Sequence, residues 1–363
     1  MGKNFKIVVF EGDGIGPEIM APTVSILEQL QRKSAGYSLS FDIHPAGAGH
    51  YKQTGESLPS TSLEAARNSD AILLSAMGLP EIRYPDGTEI SPQIELRKAF
   101  DLYAGVRPVT VRDNKFCPVR KPKGETIDFV IVRESTEGLF HSMGSGHVTK
   151  DSATETLQIT RKTSEKLFKF SFAIAEQRKN SGNGKGIVTC VDKANVFRAF
   201  AFFRGIFDEV SHAFPNLTAN HAYVDATALW MVQKPWTFDV LVTENMFGDI
   251  LSDLGAGLMG GLGLAPSADI GDQQAVFQPC HGSAPDIAGQ NAANPFAMIL
   301  SGAMMLEWLG HKHGNVEMIE DAKDLRAAVD NVLAKGDCLT RDLGGMASTS
   351  EAASGVLQEL NPQ

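Results

Sequence analysis

No run of apolar residues in this chain approaches the ~18 needed to cross a bilayer, and the first six residues carry no apolar signal segment. Both absences point to a cytoplasmic protein without a membrane partner. Cysteine is scarce: Cys117, Cys190, Cys280 and Cys338 lie far apart and form no C-x-x-C pair. That argues against a disulfide framework and against a cysteine-based zinc site. Positive charge is also short, the formal net charge being −10, so a nucleic-acid partner is not expected. A small anionic substrate stays open, because a few converging arginines and a metal ion can reverse the field locally. Repeats, low-complexity segments and long linkers are missing as well. What remains is an ordinary globular composition, 363 residues with 43% apolar and 21% charged, enough for one large or two interleaved domains.

A further absence concerns cofactor binding. Lys6–Phe10 reads as a buried strand and runs into Gly12-Asp13-Gly14-Ile15-Gly16-Pro17-Glu18, where Pro17 marks a helix start. The glycines do not meet the G-x-G-x-x-G spacing, and no acidic residue closes a second strand at the expected distance. Local sequence therefore favours a plain tight turn. Further strands are predicted over 38–43, 70–75, 127–133, 185–191 and 238–243, with helices between them. That alternation implies a mostly parallel α/β sheet. The segment 141–159 reads as an irregular arm or hairpin.

Chemistry-bearing residues gather at element ends. Asp249 and Asp253 stand four apart in Asn245-Met246-Phe247-Gly248-Asp249-Ile250-Leu251-Ser252-Asp253, so on a helix both carboxylates share one face. They either decorate a solvated surface or share a hard divalent cation such as Mg²⁺ or Mn²⁺. Arg97, Arg107 and Arg133 each close a predicted element. Singly each reads as a surface charge; together they make a clamp for a dicarboxylate, since the guanidinium fork binds carboxylate bidentately.

These stretches, with Val191-Asp192-Lys193-Ala194-Asn195 and His281-Gly282-Ser283-Ala284-Pro285-Asp286-Ile287-Ala288-Gly289, resemble the isocitrate/isopropylmalate dehydrogenase family across nearly the whole chain. This is the family of β-decarboxylating dehydrogenases that includes tartrate/D-malate and homoisocitrate members. The resemblance implies a two-domain fold on a mostly parallel sheet, distinct from the usual dinucleotide-binding fold. Residues 1–103 with 260–363 would form the cofactor domain, and 104–259 the central domain with the dimer interface. It further implies that Asp225, Asp249 and Asp253 hold Mg²⁺ or Mn²⁺, and that Arg97, Arg107 and Arg133 bind the substrate carboxylates. Asp225 and the base Lys193 would come from the partner subunit of a homodimer. His281, Gly282, Ser283, Ala284, Asp286, Ile287 and Asn294 would hold NAD, the Asp286 carboxylate repelling a 2′-phosphate. Lys193 would take the C2 hydroxyl proton while hydride leaves C2; CO₂ is then lost, and a proton returns at C3.

One position departs from the family pattern. In Arg133-Glu134-Ser135-Thr136-Glu137-Gly138-Leu139-Phe140, Phe140 stands where the family places the tyrosine credited with the last protonation. The departure leaves three outcomes open: decarboxylation with another donor, oxidation alone, or a non-catalytic regulatory homologue. The substrate's C3 substituent would be read by Ser91 and Gln93, ahead of Arg97. Isopropylmalate-type members carry leucines there, so this segment predicts a polar or small substituent of isocitrate, tartrate or D-malate type, with 3-isopropylmalate as the alternative.

Overall fold

Apolar strands alternate with helices from one end of the chain to the other, and the computed structural model describes residues 2–361. The first stretch supplies β1 (Lys3–Phe10), α1 (Gly16–Gln31), β2 (Tyr37–Ile43), α2 (Ala48–Thr54), α3 (Ser60–Arg67), β3 (Ala71–Leu74) and α4 (Pro92–Ala99). Next come β4 (Ala104–Thr110), β5 (Asp128–Glu134), the two-residue strands β6 (His147–Val148) and β7 (Ala153–Thr154), and α5 (Arg161–Asn180). They are followed by β8 (Ile187–Asp192), α6 (Arg198–Ser211), β9 (Thr218–Tyr223), α7 (Val224–Gln233), β10 (Val240–Thr243) and α8 (Asn245–Met259). The last stretch adds β11 (Pro266–Ile270), β12 (Ala275–Pro279), α9 (Phe296–His313), α10 (Val316–Lys335) and α11 (Thr349–Leu360).

Ten strands form one sheet in the order β2-β1-β3-β12-β11-β4-β5-β10-β8-β9. Pairing is parallel at both flanks and antiparallel at β12–β11, β11–β4 and β4–β5. The central antiparallel strands thus join two parallel sets of opposite direction, and ligand clefts in α/β sheets favour such a reversal. Every residue of β3, β10, β11 and β12 is buried, as expected for strands covered on both faces. Among the described residues no helix is long and apolar enough to cross a membrane.

Four strands of the large sheet, β4, β9, β11 and β12, escaped the sequence pattern. Gly105 and Pro108 interrupt β4, and Pro266, Ser267 and Asp269 interrupt β11, so neither reads as an apolar run. The arm over 141–159 contains the exposed antiparallel pair β6–β7. No helix begins at Asp192–Asn195. Lys193 opens a turn, its carbonyl accepting from the Val196 and Phe197 amides at 3.0 and 3.1 Å, and α6 begins at Arg198.

Helix α8 is fixed at both ends. The Glu244 carboxylate caps it by accepting from the Met246 and Phe247 amides at 3.1 and 2.8 Å. Gly260, in a left-handed conformation at φ 113°, ends it. Gly248 and Gly255 let it lie close on the sheet: a methyl group would come within 2.6 Å of the Arg133 side chain at the first and of Val109 at the second.

Candidate active site

Arg97 on α4, Arg107 on β4 and Arg133 on β5 are all buried, and they converge on a cleft of about 270 Å³. Three arginines from separate element ends therefore line one cleft within a single chain. Behind it lies a residue that the sequence reading passed over. Asp269 on β11, 1% exposed, accepts from Arg97 Nε at 3.0 Å and Gln278 Nε2 at 2.8 Å on one oxygen, and from Arg107 Nη2 at 3.0 Å on the other. Burial acts to raise its pKa, but Arg107 and Arg97 overcome that and hold the carboxyl at about 2. An acid between Ala268 and Ile270, and a glutamine directly after the apolar Ala275–Phe277 run, were the available signals.

Arg133 is held differently. Its Nε and Nη2 donate to Asn245 Oδ1 at 3.2 and 2.7 Å, and Nη1 pairs with Asp249. Burial and the like charge of Arg97 push its pKa down to about 10. Asn245 opens α8 and fixes the arginine from the helix that carries the acid pair.

Asp249 and Asp253 both line the cleft. Asp253 has no hydrogen bond or ion pair among the described residues. Burial and then the charge of Asp249 raise its pKa. The donors are hard oxygens facing an open cleft, so the pair fits Mg²⁺ or Mn²⁺. No group of three or more metal-binding side chains occurs among the described residues, so one chain offers two of the three predicted carboxylates.

The third stands apart, with the predicted base. Lys193 Nζ donates to Asp225 Oδ1 at 2.7 Å, and this pairing lowers the pKa of Asp225. Neither residue lines the cleft of its own chain. Phe140 sits half-buried on a 3₁₀ turn, Leu139–Ser142, also outside that lining. Of the two residues predicted to read the C3 substituent, Gln93 lines the cleft with its buried Oε1 unpartnered. Ser91 does not line it and donates to the Glu89 carbonyl at 3.3 Å.

His281 and Gly282 reach the same cleft. A second cavity of about 220 Å³ adjoins it, walled by Ile15, Gly263, His281, Ile287, Asn294 and Asp342 among others. His281 Nε2 is buried without a partner, and burial lowers the ring's pKa, leaving a neutral imidazole turned toward both cavities. An apolar-walled slot with an orphaned ring nitrogen fits the adenosine part of NAD. Ser283 and Ala284 support the loop from behind. Ser283 Oγ donates to the Gly78 carbonyl at 2.5 Å, its own carbonyl accepts from Ile15, and Ala284 takes φ 37°. Asp286 is exposed and lines neither cavity. The Gly12–Gly16 turn packs on this loop: a methyl group at Gly14 would meet the Ser283 carbonyl at 2.0 Å.

The family model described as isocitrate/isopropylmalate dehydrogenase matches residues 6–356. The chain is 41% identical to a 3-isopropylmalate/3-methylmalate dehydrogenase of Methanocaldococcus jannaschii, over 99% of each chain. It is 40% identical to a 3-isopropylmalate dehydrogenase of Streptococcus thermophilus, over 98% of this chain and 99% of the relative. Its structure is similar to an isocitrate dehydrogenase from Methylococcus capsulatus, with TM-score 0.84, 34% identity and coverage of 98% and 99% of the two chains. An apo β-decarboxylating dehydrogenase from Thermococcus kodakarensis gives TM-score 0.78 at 34% identity, covering 98% of this chain and 96% of that one. The chain therefore belongs to the isocitrate/isopropylmalate dehydrogenase family and is an NAD-dependent, Mg²⁺- or Mn²⁺-dependent decarboxylating oxidoreductase.

Proposed function

We propose that the enzyme oxidises and decarboxylates a (2R)-malate bearing an alkyl group at C3, with 3-isopropylmalate as first candidate. The observation that carries this reading is the cleft itself, where three buried arginines face Asp249 and Asp253. The alkyl group is supported by the names of the relatives from M. jannaschii and S. thermophilus, and by Leu74 and Met77 in the lining. A second reading, a polar or small substituent as in isocitrate, tartrate or D-malate, is favoured by the unpartnered Gln93 Oε1.

The working unit is a homodimer with shared sites. Helix α7 carries Asp225 and the exposed Leu229 and Val232, while α8 carries the acid pair and the exposed Met246 and Ile250. The two helices pack together and present one apolar face, suited to a two-fold contact in which each patch meets its copy. Such a contact supplies Asp225 and Lys193 of the partner subunit to the arginine cleft. We place the domain division near 103 and 259, with 1–103 and 260–363 holding the cofactor and 104–259 holding the interface.

In this assembly Arg97, Arg107 and Arg133 grip the two carboxylates of the malate core, fixing which face of C2 is presented. Lys193 accepts the C2 hydroxyl proton. When bound, the divalent cation supplies Lewis-acid polarisation of the C2 oxygen, and NAD⁺ accepts the hydride. His281, Ile287, Asn294 and Asp286 orient the cofactor. Phe140 has no proton to give, so water returns the proton at C3; a missing general acid slows such a step by roughly 10²–10⁴.

The test is a panel of 3-isopropylmalate, 3-methylmalate, D-malate, D-isocitrate and tartrate with NAD⁺ and Mn²⁺, following NADH and CO₂ separately. Expected are NADH and CO₂ with the highest kcat/KM for 3-isopropylmalate, and a higher CO₂ to NADH ratio in Phe140→Tyr. No NADH from any of these acids would sink the reading, and NADH without CO₂ would remove decarboxylation from it.

A further inference from the structure

Asp269 lies too deep to touch a substrate, yet it binds two of the three residues of the clamp. Its neighbours make room for it: it pairs in register with Gly105, where a methyl group would come within 3.1 Å of Asp269 Oδ1 and 2.5 Å of Ser135 Oγ. The carboxylate takes Arg97 by Nε alone, and the two Nη groups of Arg97 have no hydrogen bond among the described residues. Arg107 is pinned more fully, Nη2 by Asp269 and Nη1 by the Ala268 carbonyl at 2.9 Å. The bridge therefore fixes the azimuth of both guanidinium groups and leaves the donor-rich edge of Arg97 unused.

It also sets the charge of the cleft. Asp225 and Lys193 of the partner subunit cancel as an ion pair, and Asp249 and Asp253 carry together the charge that a divalent cation balances. Three arginines remain, and Asp269 cancels one of them from behind the lining. Two uncompensated positive charges match the two carboxylates of a malate core. A third carboxylate on C3 finds no positive charge left, and Glu89, exposed at the rim of the same lining, opposes it further. At this depth such an imbalance is not screened by salt as a surface pair is.

We infer that Asp269 is a positioning residue that orients Arg97 and Arg107 and, by its buried charge, selects dicarboxylates over tricarboxylates. This rests on the reading of the cleft as a malate-type site, and it makes Asp269 rather than the C3 contacts alone a determinant of substrate class.

The experiment is calorimetric binding of 3-isopropylmalate and D-isocitrate to the intact enzyme with Mn²⁺, alongside turnover with NAD⁺. The wild type is expected to bind 3-isopropylmalate at least about tenfold more tightly than D-isocitrate, a Kd ratio that one uncompensated charge readily supplies. Asp269→Asn and Asp269→Ser are expected to shift that ratio toward D-isocitrate by about fivefold or more, whereas Asp269→Glu, which keeps the charge, leaves it near the wild-type value. Disturbed arginine geometry weakens both ligands through their shared malate core and cancels in the ratio, so a purely structural role would leave the ratio unmoved. A ratio within about twofold of wild type in both neutral variants overturns the inference. Should neither variant fold, equal wild-type affinity for the two acids overturns it, and the tenfold preference supports it. Binding with the expected preference but no turnover defeats the catalytic reading alone, and no binding of either acid defeats both.

Discussion

At the level of single residues, the site depends on buried charges whose titration is displaced by their surroundings. Glu134, next to Arg133, is the case with a consequence near neutral pH. Burial holds its carboxyl at about 7, against 4.5 in an unfolded chain, although hydrogen bonds from Thr136 N, Thr136 Oγ1 and Glu137 N at 2.6, 2.7 and 2.9 Å act in the opposite direction. The folded protein binds this proton more tightly than the unfolded chain, so the stabilisation is complete below the unfolded value and is lost as pH rises through about 7. Between about pH 5 and 7.5 the wild type should lose on the order of 1–3 kcal/mol relative to Glu134→Gln. Thermal melts of the two proteins across that range check this, and parallel profiles would contradict it. Residue identity was legible in the sequence where the motif was dense: the three arginines and the acid pair do meet in one cleft. Asp269 and Asn245 were not legible as partners, because their roles come from strand pairing between segments more than a hundred residues apart, which no local spacing records.

At the level of elements, α8 couples the metal-type acids to the arginine clamp. It can do so because Gly248 brings the helix against β5, where a methyl group would stand 2.6 Å from Arg133 Cβ and Cγ and 3.1 Å from its Cα. Alanine is the better helix former by roughly 1 kcal/mol, whereas overpacking at such a contact costs roughly 1–3 kcal/mol. We expect Gly248→Ala to lower stability slightly or not at all, and to raise KM for the acid about five- to tenfold by displacing Arg133, with KM for NAD⁺ unchanged. Steady-state kinetics decide it: equal effects on the two KM values would show general damage to the fold. The helix itself was readable from its motif, and the flanking strand β10 from its apolar run. Strands β4 and β11 were not, since glycine, proline and buried acid broke the pattern that identifies a strand. Those irregular strands are the ones that bear Arg107 and Asp269. The local departures from pattern thus coincide with the site.

At the level of the whole molecule, the predicted constellation falls into two halves that a single chain keeps apart. One half is the cleft with its arginines and Asp249 and Asp253; the other is the Lys193–Asp225 pair. Sequence alone could list the members from their types and spacing, and the family resemblance already implied that Lys193 and Asp225 come from the partner subunit; within one chain neither lines the cleft. The central claim is that two copies join these halves into one active site, and mixing two inactive variants tests it most directly. Lys193→Ala and Asp249→Asn should each form inactive dimers. Unfolded and refolded together, or co-expressed, they should yield mixed dimers in which one of two sites has both an intact Lys193 and an intact Asp249. Statistical mixing then predicts recovery of about a quarter of wild-type NADH formation with the preferred malate derivative. Recovery near that level supports the shared site, and mixed dimers that remain as inactive as the parents contradict it.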